Sequence, residues 1–254
     1  MTHRVGSLLL ALGFAVAAAQ GGDDKKEQNN LDPKVIEIVK QVGAVYKDAK
    51  SIHGDISLTV TNDGEKKTEI KSTGAYDIEK PNRLALRTKS DDGKAGIEYV
   101  TDGKQVNILR RRLNQYISDE APSSLSDVAQ ALQQQGYPNT GILFQNVLTD
   151  DPAGALMDGV NSCTYAGTEK VGDTNAHHLK FTQDAFNWEM WVPTEGKPLV
   201  LKIVTTRDTD NGKMIVDERY SNWKVDAPAG KETFSFAPNG AKKVEQFDSG
   251  ESGQ

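Results

Sequence analysis

The sequence predicts an α+β protein, mainly β, with one meandering antiparallel sheet and about three helices filling one of its faces. Three observations carry this. The strand-like segments alternate apolar and polar residues with period two, so most have a single apolar face. Short turns join them without crossover helices, which argues against a parallel α/β layout. Helical spacing recurs only in "LDPKVIEIVKQVGAVYKDAKSI", "SSLSDVAQALQQQGY" and "DDPAGALMDG", too little helix to cover both faces.

From the N-terminus, "MTHRVGSLLLALGFAVAAAQGG" places Arg4 before an apolar run, Val5 to Val16, and a small-residue site at Ala17 to Ala19. This is the layout of a secretory signal peptide over residues 1–19, its apolar run too short to span a bilayer. Cleavage after Ala19 is expected. Residues 20–30, "QGGDDKKEQNN", are polar and read as a disordered leader. Asp32 is then placed to cap a helix that Pro33 begins, with Val35, Ile36, Val39, Val42 and Tyr46 as its apolar stripe.

The first block of strands follows. In "IHGDISLTVTNDG", Ile52, Ile56, Leu58 and Val60 share a face, and Asp63-Gly64 turns the chain. Pro81-Asn82 and Asp102-Gly103 mark further turns, the second inside the hairpin "YVTDGKQVNILRRRLNQYI". Leu125, Val128, Ala129 and Leu132 then predict a helix ended by Gly136, and Pro152 opens another short one. Strands return at 160–170, 176–183, 186–193, 199–208 and 213–225. Gly172-Asp173, Asp184-Ala185, Gly196-Lys197-Pro198 and Asn211-Gly212 separate them. Residues 31–247 read as a single domain and 248–254 as a disordered tail.

Candidate chemistry is sparse. His177 and His178 are strand neighbours, so they point to opposite faces and cannot converge on a metal. Cys163 is alone and reads as a small buried apolar residue. Aligning Gly212 and Glu218 with a calcium loop puts Arg207 and Thr209 where carboxylates belong, so Asn211-Gly212 is better read as a hairpin turn. Arg110 to Arg112 fit a solvated turn, with a cationic rim as the alternative. No zinc, nucleophile-elbow, phosphate-loop or dinucleotide motif occurs, so no enzyme, metal or cofactor is expected. A chain of net charge −6 without a basic block is a poor candidate for nucleic acid or anionic membranes.

Three stretches carry a resemblance: "YVTDGKQVNILRRRLNQYISDEAP", "DDPAGALMDGVNSCTYAGTEKVGDTNAHHLKFTQDAFNWEMWV" and "FSFAPNGAKKV". Over residues 34 to 244 the chain resembles a family of exported bacterial proteins carried under a domain-of-unknown-function label and grouped by fold with the LolA/LolB lipoprotein carriers. The His-His-Leu-x-Phe strand followed by Trp-x-x-Trp-Val is its most specific part. Ala176 departs from the pattern, since members often have Cys before the histidine pair. The resemblance implies a curved antiparallel half-barrel, open on one side, with helices on its concave face. In the carriers, acyl chains occupy the apolar space between sheet and helices.

These readings converge on an exported, soluble, periplasmic binding or carrier protein for an acyl chain, a lipoprotein or another amphipathic ligand. The alternative is an envelope sensor or scaffold that recognises a protein partner. Face alternation selects Leu179, Phe181, Trp188, Met190, Leu201 and Ile203 as the ligand-facing wall.

Overall fold

A computed structural model describes residues 30–134 and 142–247. The predicted signal peptide, all but the last residue of the predicted leader, the predicted helix end at Gly136 and the predicted tail lie outside them. The chain order is α1 (Pro33–Asp48), six strands, three short helices, five strands and a final short strand. The first strands are β1 (Ser51–Asp63), β2 (Thr68–Glu79), β3 (Arg83–Ser90), β4 (Ile97–Thr101), β5 (Gln105–Arg110) and β6 (Gln115–Glu120). The short helices are α2 (Leu125–Gln134), α3 (Ile142–Val147) and α4 (Pro152–Met157). Then come β7 (Ser162–Val171), β8 (Thr174–Thr182), β9 (Asn187–Pro193), β10 (Lys202–Thr209), β11 (Gly212–Val225) and β12 (Lys242–Lys243).

All twelve strands form one curved, unclosed sheet in the order β12-β6-β5-β4-β3-β2-β1-β11-β10-β9-β8-β7. Each block of strands is a meander. The blocks meet where β1 pairs with β11, antiparallel from Ile52↔Val225 to Asp63↔Lys213. The sheet is not wholly antiparallel, because β12 runs parallel to β6 at one edge.

Four helices are described rather than about three. The six-residue α3 was not anticipated, being too short to display a periodic stripe. In α1 the Asp32 carboxylate accepts the Lys34 N–H at 2.8 Å, as its capping position demands. The stripe is Val35, Ile38, Val39, Val42 and Tyr46; Ile36 is only half-buried, and Ile38 takes the place expected for it. Gly43 lets α4 approach closely, since a Cβ there would lie 2.5 Å from Ala153 Cβ.

The helices and one sheet face bury a common core that runs from Cys163 and Leu179 at one end to Val106 and Ile108 at the other. Burial at this level is worth roughly 1.5–3 kcal/mol for each large aliphatic or aromatic side chain. The opposite face carries a small satellite cluster, Ala85 and Val100 under Phe234. The C-terminal segment crosses that outer face, where Arg87 donates to the carbonyls of Thr233 and Ser235. Among the described residues, no helix is long and apolar enough to cross a membrane.

Candidate functional site

The predicted wall is largely brought together. Register pairs Leu179 with Met190, Phe181 with Trp188, and Met190 with Ile203, so these five share the inner face. The Phe181 and Trp188 rings stack with centroids 3.8 Å apart. All five are at most 2% exposed, so they are core residues. Leu201 does not join them. It lies just before β10 and is half-buried, and its backbone links Trp191 O to Tyr220 N–H, each at 2.9 Å.

The helix at this end of the sheet is α1, and it is tied at both ends. Asp32 N–H donates to Cys163 O, and Tyr165 N–H donates to the Asp32 carboxylate at 3.1 Å. At its far end the Tyr46 hydroxyl accepts the Val200 N–H at 3.2 Å. Cys163 is buried there, and burial pushes its thiol up, away from nucleophile behaviour.

At the centre of the sheet lies a polar group that the sequence reading did not select. Glu218, on β11, sits between Leu58 and Ile203 on the neighbouring strands and is 1% exposed. Its carboxyl accepts the Tyr220 hydroxyl and, at 3.1 Å, the N–H of Ile142 at the start of α3. Burial pushes this carboxyl up to about 7 from an ordinary 4.5, despite those hydrogen bonds. An aromatic cluster extends from Tyr220. Tyr220 lies 6.3 Å from Tyr76 and 5.9 Å from Trp223, and Tyr76 lies 6.0 Å from Phe144 of α3. The Tyr76 hydroxyl is buried without a hydrogen-bond partner among the described residues. Gly54 makes room for this cluster, because a Cβ there would meet Tyr76 Oη at 3.0 Å and the Trp223 ring at 3.3 Å.

A signal for Glu218 existed. Met214, Val216, Glu218 and Tyr220 alternate on one face of β11, so the glutamate is a charge on a mostly apolar row. The other row, Ile215, Asp217 and Arg219, is also mixed, which hid it.

The remaining candidates resolve locally. His177 accepts or donates a hydrogen bond with Tyr165 Oη at 3.0 Å, and burial, with Lys34 nearby, lowers its basicity. His178 points the other way, stacks on Trp191 at 4.3 Å and pairs with Glu189. Asn211 and Gly212 form the β10–β11 turn. Arg111 is more than a solvated turn residue, since it pairs with the buried Glu98 of β4. On the outer face, grooves of about 500 Å³ and about 570 Å³ share Asp55 and Ala75. Arg87, Lys89 and Arg111 line the first, and His53, Asp77 and Lys224 the second.

The fold and this interior define the class: an α+β protein built on one unclosed sheet, with helices enclosing its apolar face. The chain belongs to the family described as predicted periplasmic protein (DUF2092), whose model matches residues 35–246. The periplasm is thus its compartment, as the export reading expects. No curated protein matches the sequence. Among solved structures, LprF from Mycobacterium bovis is 14% identical with a TM-score of 0.46, over 79% of this chain and 97% of that one. The Pseudomonas aeruginosa MucA/MucB complex gives 13% identity and a TM-score of 0.43, over 80% of this chain and 61% of the matched one. A LolA superfamily protein from Nitrosomonas europaea gives 11% and 0.36, over 79% and 96%.

Proposed function

We propose that the protein is a non-enzymatic periplasmic binding protein that holds an acyl chain, a lipoprotein lipid or another amphipathic ligand between its sheet and its helices. The observation that carries this reading is the apolar core shared by the helices and the inner sheet face. The long α1 is fixed at both ends to β7 and Val200. The short α2 and α3 are anchored by the Leu125 N–H on Pro81 O and the Ile142 N–H on Glu218. Within their described residues, Leu125, Val128, Ala129, Leu143, Phe144 and Val147 pack α2 and α3 into the core. A ligand that replaces that packing can displace them.

The functional wall is therefore proposed at Tyr76, Leu84, Leu86, Tyr99 and Tyr220, which share the core with α2 and α3 and of which Tyr76 meets Phe144 of α3. The residues predicted on β8 to β10 form its fixed end under α1. Each methylene buried contributes about 0.8 kcal/mol, so a chain of about ten is worth roughly 8 kcal/mol before the helices are displaced. The test is incubation with labelled lipids and lipoproteins followed by native mass spectrometry. Bound lipid with a raised melting temperature supports the reading; no bound lipid and an unchanged melting temperature overturn it.

The outer grooves favour a second reading, recognition of a protein partner. Their charged lining suits a polar peptide better than an acyl chain. Under that reading, substituting Lys89 and Arg111 abolishes a crosslink to one envelope protein and leaves lipid capture unchanged.

A further inference from the structure

We infer that the inner site takes an amphiphile whose polar end is a cationic amine, held by the Glu218 carboxylate beside the ring of Tyr220, and discriminates against fatty-acid carboxylates. This deepens the binding reading above and rests on it.

Among the described residues Glu218 is held by the Tyr220 hydroxyl and the Ile142 N–H, with the Leu143 N–H beside them, and none of these donors is a cation. Its cross-strand neighbours are Leu58 and Ile203, and Asp217 adds negative potential from the adjacent position. When α3 moves to admit a ligand, the Ile142 N–H leaves with it. A carboxylate in an apolar setting is then short of a donor, and a buried charge is tolerated only when it is paired. An ammonium group supplies both the donor and the opposite charge. The Tyr220 ring, whose hydroxyl bonds the carboxyl, adds cation–π attraction. A fatty-acid carboxylate would instead set two like charges together in a poorly solvated space.

The test is calorimetric titration of the mature chain at about pH 7.5 with dodecylamine, dodecanol and dodecanoate, each below its micelle concentration. The expected result is that dodecylamine binds at least about tenfold more tightly than dodecanoate, with dodecanol between them. In Glu218→Gln, with its near-ultraviolet dichroism checked against the parent, the amine-to-carboxylate ratio falls to near one. Dodecanoate binding as tightly as dodecylamine overturns the amine assignment and leaves the binding reading intact. A preference that survives in Glu218→Gln also overturns it, by placing the recognition elsewhere. Failure of all three amphiphiles to bind overturns both.

Discussion

Glu218 makes the stability of the protein depend on pH in a way that one substitution should remove. Its carboxyl titrates near 7 when folded and near 4.5 when exposed, because burial disfavours the charged form. The raised folded value means that the folded state keeps a proton the unfolded chain has lost. Stability from this group is therefore full below about pH 4.5, falls as pH rises to about 7, and is level above that. A difference of about 2.5 pH units at 1.36 kcal/mol each amounts to about 3 kcal/mol. In Glu218→Gln the amide oxygen can accept the Ile142 N–H, and the group does not titrate. Urea denaturation of parent and variant at about pH 4.5, 6 and 8 measures the effect. The parent should lose about 3 kcal/mol relative to the variant across that range, or roughly 6–12 °C in melting temperature for a domain of this size. A parent-minus-variant difference that stays constant with pH refutes the reasoning, because it would mean Glu218 is solvated or paired in the folded protein.

Two further substitutions probe the packing. Gly43→Ala puts a methyl group 2.5 Å from Ala153 Cβ, so α1 and α4 must part, and a denaturation midpoint lowered by about 1–3 kcal/mol is expected. Trp188→Ala removes a fully buried ring stacked on Phe181, and should lower stability by about 3–5 kcal/mol in the same assay.

How much of this was readable from the sequence depends on distance along the chain. The Asp32 cap, the Asn211-Gly212 turn and the shared face of Leu179, Phe181, Trp188, Met190 and Ile203 follow from local chemistry and the period-two rule. Pairing between strands far apart does not follow from that rule. The join of β1 to β11 links residues more than a hundred positions apart, and alternation fixes faces without naming partners. The parallel edge strand β12 is two residues long and leaves no periodic trace. Ile36 and Ile38 both border the stripe of α1, and only the packed register chooses between them. Leu201 had the right parity but falls before its strand begins, so alternation did not apply to it. Glu218 was hidden for a different reason: a charge in a row of apolar residues looks like an exposed position until α3 packs over it.

The proposed movement of α2 and α3 over the sheet is measured most directly by hydrogen exchange with and without a saturating amphiphile. Altered protection is expected in residues 125–134 and 142–147 and in the strands that share their core, with α1 unchanged. Protection changes confined to the outer grooves, around residues 53–57 and 221–224, would contradict it.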